Sequence, residues 1–288
     1  MNNFKLFTEL IRLNKPIGFM LLFWPCIWGL TLAYDFNYGV ERFFYYSLLY
    51  FSGSFLMRSA GCIANDIIDK NIDKQVERTK FRPVASGKVS IKLAIFYIVI
   101  LCLLAFLILI NFNYLTIVLA IASMPLALSY PFMKRFTYWP QLFLGITFNY
   151  GLILGFVSIK GFIGYETIIL YLGAIFWTLG YDTIYGYQDI KDDEIIGVKS
   201  TSIKFKNNPI KFLILCYGMT IFSMIITGLL MDFDYLYFLL LIVPFFHLFF
   251  FQIKNFKMDR PEICLKIFQS NNFLGLIIFL NLIIGKLN

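Results

Sequence analysis

Two acidic segments, each placed where a long apolar stretch ends, are the residues of this sequence best suited to chemistry. The first runs from Asn65 to Asp73 and the second from Asp182 to Glu194. Both lead into segments that contain Lys or Arg. Because carboxylates are costly beside hydrocarbon, acids at a membrane edge are candidates for function. Carboxylate clusters followed by basic residues predict a site for a metal-bridged polyanion such as a diphosphate.

The candidate metal ligands in these segments are oxygen donors of the kind that Mg²⁺ prefers. They are Asn65, Asp66, Asp69, Asp73, Asp182, Asp189, Asp192 and Asp193. On one continuous helix the three acids of the first segment would share a face, and the second segment would repeat this arrangement. We therefore expect two clusters that face each other across a helical bundle. The alternative is an ordinary solvated loop of mixed charge.

Basic residues beyond the acids are the candidates for binding phosphate oxygens. They are Arg78, Lys80, Arg82 and Lys199. Lys and Arg donate charge-assisted hydrogen bonds to phosphate, although they also accumulate on the inner side of membranes for reasons of topology. Arg58 differs because it lies inside an apolar run, where it needs an anionic partner. That partner is a carboxylate beside Asp66, a diphosphate or an acceptor's carboxylate, and a purely structural ion pair is the alternative.

The elements that must position these residues are apolar helices. Of the residues, 59% are hydrophobic and 15% are charged, and the mean hydropathy is +0.74. About nine apolar runs have the length that crosses some 30 Å of hydrocarbon as helix. They are 17–34, 43–64, 91–110, 114–132, 140–158, 163–181, 211–231, 235–253 and 267–285. The sequence therefore predicts an all-α polytopic membrane protein whose residues 1–288 form one domain.

The distribution of positive charge predicts the orientation. With a cytoplasmic N-terminus, most of the 25 Lys and Arg residues fall in the inner segments, as expected for a membrane protein. This bias also accounts for the net charge of +8 without nucleic acid. The short segment before the first apolar run does not resemble a cleavable signal, and we expect a bacterial inner-membrane location with the site on the cytoplasmic side.

Other features carry less information. The shared spacing of Asp69 with Asp73 and of Asp189 with Asp193 hints at a two-half repeat with motifs at 65–73 and 182–193. The five cysteines are scattered and are expected to be packing residues. His247 is expected to pack as well. No segment indicates an obligate protein partner.

The acidic segments and their neighbours resemble the UbiA-type intramembrane prenyltransferases. The stretch from Asn65 to Asp73, together with Arg-Thr-Lys-Phe-Arg-Pro at 78–83, matches the first motif of that family. The stretches 181–193 and 197–201 are similar to the second motif of its 4-hydroxybenzoate branch, as is the segment 14–28 to that branch's amino-terminal motif. Asn14 and Cys26 depart from the branch's pattern without touching the acidic motifs.

The resemblance implies a bundle around a central cavity, Mg²⁺ dependence, and transfer of a chain from polyprenyl diphosphate to the carbon ortho to the hydroxyl of 4-hydroxybenzoate, early in ubiquinone biosynthesis. It implies catalytic roles for Asp66, Asp69, Asp73, Asp189 and Asp193. The expected acceptor-binding residues are Arg58, Tyr181 and Tyr185. Two alternatives remain: a sibling enzyme acting on haem, a naphthoate or homogentisate, and a divalent-cation transporter with acids along its path.

Overall fold

The computed structural model describes residues 3–287 and is all-helical, with no strand in that range, which confirms the predicted fold class. The helices are α1 (Asn3–Leu10), α2 (Ile17–Ala33), α3 (Glu41–Ile68), α4 (Lys70–Asp73), α5 (Ile91–Leu109), α6 (Tyr114–Phe136), α7 (Pro140–Lys160), α8 (Tyr165–Gly186), α9 (Ile190–Ile196), α10 (Thr201–Lys204), α11 (Pro209–Leu230), α12 (Tyr235–Ile253) and α13 (Pro261–Leu287). A 3₁₀ turn interrupts α6, and α12 ends in a π-helical stretch.

Seven of these helices within residues 3–287 are long and apolar enough to cross a membrane: α5, α6, α7, α8, α11, α12 and α13. The protein is therefore a multi-pass membrane protein. Helix α2 is apolar but has 17 residues, and the 28-residue α3 carries charged side chains. Each of the nine predicted apolar runs lies on a helix of the structure, while nine as the number of crossings stays a prediction.

Three exposed tyrosines mark one set of helix ends. Tyr114, Tyr165 and Tyr235 each begin a helix, and each is more than 70% exposed. Tyrosine accumulates where a membrane meets water because its ring is apolar and its hydroxyl is polar. All three positions fall on the side that the charge distribution predicts to be outer.

Close backbone approach holds α2 against α7. A Cβ atom on Gly29 would stand 1.9 Å from the carbonyl oxygen of Leu152, and one on Gly155 would stand 2.1 Å from that of Cys26. Helices in membranes associate through packing of this kind because the hydrophobic effect does not drive them together. Glycine at both positions therefore sets the distance between two helices that line the central cavity.

Buried amides tie the carboxyl-terminal half together. Asn271 on α13 accepts hydrogen bonds from the Trp177 indole at 2.7 Å and from the Gln252 amide at 2.9 Å. Tyr217 in turn donates to Gln252 at 2.6 Å. These residues lie on four different helices, so one chain of hydrogen bonds links α8, α11, α12 and α13.

The acidic segments are not continuous helices, so the predicted single helix face is wrong. Helix α3 ends at Ile68 and helix α8 ends at Gly186. Asp69 and Asp189 immediately precede the short helices α4 and α9, with nearly the same backbone angles (φ −94°, ψ 6° and φ −113°, ψ 7°). Aspartate favours such helix ends because its side chain competes with the helical hydrogen bonds. The equivalent breaks fit the weak repeat seen in the sequence.

Candidate active site

A cavity of about 280 Å³ lies between the helices and contains most of the predicted site residues. The predicted oxygen ligands among its lining residues are Asn65, Asp69, Asp73, Asp182, Asp189 and Asp193. Its basic side chains are Arg12, Lys15, Arg58, Arg78, Arg82, Lys134 and Lys199. Aromatic rings of Phe19, Phe55, Phe148 and Phe268 complete the wall. The cavity therefore offers charged groups together with an apolar, aromatic surface.

In the first acidic segment, two buried carboxylates are held by basic side chains from elsewhere. Lys134 donates to Asp69 Oδ2 at 2.6 Å, and Arg82 donates to Asp73 Oδ2 at 2.8 Å. Asp69 and Asp73 are both under 5% exposed. Burial raises the pKa of Asp69, and the Lys134 ammonium opposes that rise. Asp69 Oδ1 is buried and accepts no hydrogen bond from the described residues.

Asp66 lies behind this wall rather than on it. It is 2% exposed, and its Oδ1 atom accepts hydrogen bonds from Arg12 at 2.7 Å and from Arg82 at 3.3 Å. Both arginines line the cavity, whereas Asp66 does not. The predicted ligand thus contacts two guanidinium groups in this structure.

The second acidic segment is tied to the loop that follows α4. Arg78 forms a bidentate ion pair with Asp189, with its Nε donating to Oδ1 at 2.8 Å, and its Nη1 donates to the Tyr185 hydroxyl at 3.2 Å. Burial raises the pKa of Asp193 to about 7, and the neighbouring Asp189 charge adds to the rise. Asp192 lies off the cavity wall and accepts a hydrogen bond from the backbone N–H of Glu77 at 3.2 Å.

The remaining two predicted phosphate contacts differ in position. Lys80 does not line the cavity and pairs with Glu77 at 2.6 Å. Lys199 lines the cavity and donates to the carbonyl of Phe136 at 3.2 Å. The structure therefore gathers Arg78, Arg82 and Lys199 at the cavity and leaves Lys80 outside it.

Arg58 lies on the cavity wall without an ion pair among the described residues. Its Nη1 donates to Cys62 Sγ at 2.7 Å, and its guanidinium lies 5.6 Å from the centre of the Phe148 ring. Its buried Nε has no hydrogen-bond partner among the residues that the structure describes. Gly18 leaves room for it, since a Cβ there would approach Nε to 2.8 Å. A buried guanidinium with an unused donor suits an anionic ligand.

The two predicted tyrosines stand side by side against one phenylalanine. The ring centres of Tyr181 and Tyr185 lie 5.7 Å and 4.3 Å from that of Phe268. Tyr181 is 1% exposed, and its hydroxyl has no hydrogen-bond partner among the described residues. Tyr185 carries the Arg78 contact described above. Both rings therefore line the cavity next to the second acidic segment.

Sequence reasoning missed three basic residues that hold the acids. Arg12 and Lys134 pair with Asp66 and Asp69, and Arg135 approaches Asp69 Oδ1 to 3.7 Å. In the sequence their positive charge serves equally well to orient a membrane protein, and no spacing connects them to the acids. The one signal in the sequence that could have identified these basic residues is their position near the ends of the apolar runs.

The donor chemistry of the cavity fits a divalent cation. Carboxylate and amide oxygens are the ligands that Mg²⁺ prefers, and Asp69 Oδ1, which accepts no hydrogen bond from the described residues, is an acceptor available for one. Among residues 3–287 no three His, Cys, Asp or Glu side chains converge as a ready metal cage. Three of the cavity carboxylates, those of Asp73, Asp69 and Asp189, instead form ion pairs with Arg82, Lys134 and Arg78.

Apolar helices long enough to cross a membrane, packed around a cavity with charged and aromatic lining residues, define an integral membrane protein with an internal polar cavity. Residues 22–283 match the UbiA prenyltransferase family, and the chain belongs to that family. The family prediction made from the motifs is thereby confirmed.

Relatives from distant organisms extend this finding. The chain is 40% identical to the mitochondrial 4-hydroxybenzoate polyprenyltransferase of Dictyostelium discoideum over 99% of its length, which is 62% of that protein. It is also 40% identical to the 4-hydroxybenzoate octaprenyltransferase of Psychromonas ingrahamii, covering 98% of this chain and 96% of that one.

Solved structures share the fold. An apo UbiA homolog from Aeropyrum pernix superposes with a TM-score of 0.76 at 21% identity, covering 93% of this chain and 97% of that one. A UbiA homolog from Archaeoglobus fulgidus bound to GPP and Mg²⁺ superposes with a TM-score of 0.71 at 15% identity, covering 96% and 99%.

Proposed function

We propose that this protein transfers a polyprenyl chain from polyprenyl diphosphate to the ring carbon ortho to the hydroxyl of 4-hydroxybenzoate, an early membrane step of ubiquinone biosynthesis. The observation that carries the proposal is a cavity with charged and aromatic walls in a chain 40% identical to a named 4-hydroxybenzoate octaprenyltransferase over 96% of that protein. The charged part suits a diphosphate, and the aromatic part suits an apolar chain.

The cation we propose is Mg²⁺, held by the cavity-lining oxygen donors Asn65, Asp69, Asp73, Asp182, Asp189 and Asp193. When bound, Mg²⁺ supplies charge neutralisation for a leaving diphosphate. The Mg²⁺-bound homolog from Archaeoglobus fulgidus supports this choice of metal. Because Lys134 and Arg82 already pair with Asp69 and Asp73, these basic groups are placed to turn toward phosphate oxygens when a cation takes the carboxylates.

The protein's other residues bind and orient. Arg78, Arg82 and Lys199 donate hydrogen bonds to the diphosphate, and Arg58 offers its unused Nε to the carboxylate of the acceptor. Tyr181 and Tyr185 present ring faces to the site where the prenyl carbon becomes electron-poor, an arrangement that favours a cation. Enclosure among helices excludes water, which would otherwise compete with the aromatic ring.

We further propose that residues 1–288 act as one domain in a bacterial inner membrane, with the N-terminus and the charged part of the cavity on the cytoplasmic side. Support comes from the positive-inside distribution of Lys and Arg and from the bacterial relative that the chain matches along nearly its whole length.

The test uses purified protein with 4-hydroxybenzoate and geranyl diphosphate, in Mg²⁺ or in EDTA, with product measured by mass spectrometry. We expect prenylated 4-hydroxybenzoate in Mg²⁺ and none in EDTA. Parallel reactions with a naphthoate, homogentisate and haem form the control. Product from one of those acceptors and none from 4-hydroxybenzoate would overturn the proposed acceptor, and equal product in EDTA would overturn the metal.

A further inference from the structure

Arg12 has an unusual backbone conformation next to the cavity. It is one of two non-glycine residues with positive φ in residues 3–287, at 55°, and the other is Asp232 at 52°. Side chains other than glycine are disfavoured in this region because Cβ crowds the backbone. Leu10 and Ile11, immediately before it, are buried in a hydrophobic cluster with residues of α3 and α5. The turn is therefore fixed by packing on one side and ends in a charged side chain.

The fixed turn delivers the Arg12 guanidinium to the cavity wall. Its hydrogen bond within the described residues is the one from Nη2 to Asp66 Oδ1, and its side chain is 23% exposed. A guanidinium has five N–H donors, so most of its donors are left for another acceptor. Asp66 lies behind Arg12, away from the cavity.

The charges of the cavity wall favour an anionic ligand near these residues. Seven basic side chains line it against five acidic ones. Arg12 and Arg82 both donate hydrogen bonds to the same oxygen of Asp66, so this carboxylate contacts two guanidinium groups. A carboxylate in this place orients arginines, because a bidentate fork must be held in position to recognise an oxyanion.

We propose that Arg12 binds an oxyanion of a substrate, and that Asp66 is a positioning residue that holds Arg12 at the cavity wall. The inference rests on the proposed function for the identity of the anion, which is either the diphosphate or the carboxylate of the aromatic acceptor. It gives Asp66 a role other than the metal ligation predicted from the sequence, and it gives Arg12 a role in binding.

The test compares Arg12→Gly, Arg12→Lys and Asp66→Asn with wild type. Glycine suits the left-handed backbone, and Arg82 still contacts Asp66, so Arg12→Gly removes the guanidinium without straining the turn. Asp232→Gly is the matched control, because it relieves the same conformation at an exposed residue away from the cavity.

Equilibrium binding is measured first, without turnover. Binding of inorganic diphosphate and of 4-hydroxybenzoate is measured from the rise in the protein's melting temperature as each is added. Binding of Mn²⁺, a paramagnetic substitute for Mg²⁺, is measured by electron paramagnetic resonance. We expect Arg12→Gly and Asp66→Asn to weaken binding of one of the two anions at least tenfold, with Mn²⁺ affinity within about twofold of wild type. Arg12→Lys retains part of the binding, and Asp232→Gly matches wild type.

Steady-state kinetics then identify the anion, because KM rises for the substrate that Arg12 binds while kcat changes less. Wild-type binding of both anions by folded Arg12→Gly would overturn the proposal. So would loss of Mn²⁺ affinity in Asp66→Asn with anion binding intact. If Arg12→Gly does not fold, the binding measurements on Arg12→Lys and Asp66→Asn test the proposal in its place. Failure of wild type to prenylate 4-hydroxybenzoate would refute the proposed function alone, since diphosphate binding still tests Arg12.

Discussion

Asp69 and Asp189 occupy matching places in the two acidic segments. Each follows the end of a long helix and immediately precedes a short one, and the backbone N–H four residues later donates to its carbonyl, at 2.8 Å and 2.9 Å. Each carboxylate is paired with a basic side chain, Lys134 in one case and Arg78 in the other. Two similar half-sites thus face one cavity.

Replacing Asp189 with Asn tests the second half-site. The change removes a cavity-lining charge and the bidentate partner of Arg78, so we expect kcat for prenyl transfer to fall by about 100-fold or more. Thermal stability in detergent should show that the protein remains folded. Glu194→Gln, which breaks the exposed pair with Lys206, is the control and should leave the rate unchanged. A wild-type rate in Asp189→Asn would contradict the two-cluster assignment.

Residue types and spacing are local properties, and from them the sequence predicted all five acids that line the cavity, together with Asp66 and Asp192, which lie off its wall. It did not predict that Asp66 contacts Arg12 or that Asp69 contacts Lys134. Those pairs join residues 54 and 65 positions apart. Pairing of this kind depends on how helices pack, which no local pattern specifies.

At the scale of elements, glycine residues allow two helices to pack closely, and buried side-chain amides form the hydrogen bonds between helices. The α2–α7 contact depends on glycine at two positions, and Asn271 collects hydrogen bonds from α8 and α12. The sequence predicted these helices from their apolar length. It did not predict the breaks before α4 and α9, because length and hydropathy carry no information on where an aspartate ends a helix.

Gly155→Ala tests the α2–α7 contact. The added methyl group would clash with the carbonyl of Cys26, so the helices must separate, and we expect a loss of roughly 1–3 kcal/mol of stability. Thermal unfolding in detergent measures the change. Gly53→Ala on α3 is the control, since its Cβ meets nothing within 4 Å, and it should be neutral or slightly stabilising. Equal stability of the two variants would show that the contact can relax.

Asn271→Ala tests the buried hydrogen bonds. It leaves the Trp177 indole and the Gln252 amide without their acceptor, and we expect a cost of about 2 kcal/mol. Asn281 on the same helix is a matched control, because it is 3% exposed and its amide has no hydrogen-bond partner in the described residues. Asn281→Leu should therefore be neutral or stabilising in the same unfolding assay. A larger loss from Asn281→Leu would reverse this assignment.

At the scale of the whole molecule, charge distribution predicts which side of the membrane each loop occupies. Lys88 and Lys160 are exposed at opposite predicted sides. In a Cys102→Ser background, which removes the half-buried native thiol and leaves four buried ones, we expect Lys88→Cys to react with an impermeant maleimide only in inverted vesicles. Lys160→Cys should react in intact cells. The opposite pattern would reverse the proposed orientation.

The cavity is lined both by charged side chains and by the rings of Phe19, Phe55 and Phe148. Under the proposed reaction the two products differ strongly in their solubility in water. Diphosphate dissolves in water, whereas the prenylated acid stays in hydrocarbon because each buried methylene favours it by about 0.8 kcal/mol. The substrates divide in the same way, because the polyprenyl chain belongs to hydrocarbon and 4-hydroxybenzoate to water. One cavity lined by both kinds of side chain would therefore take in its two substrates from different phases and release its two products into different phases.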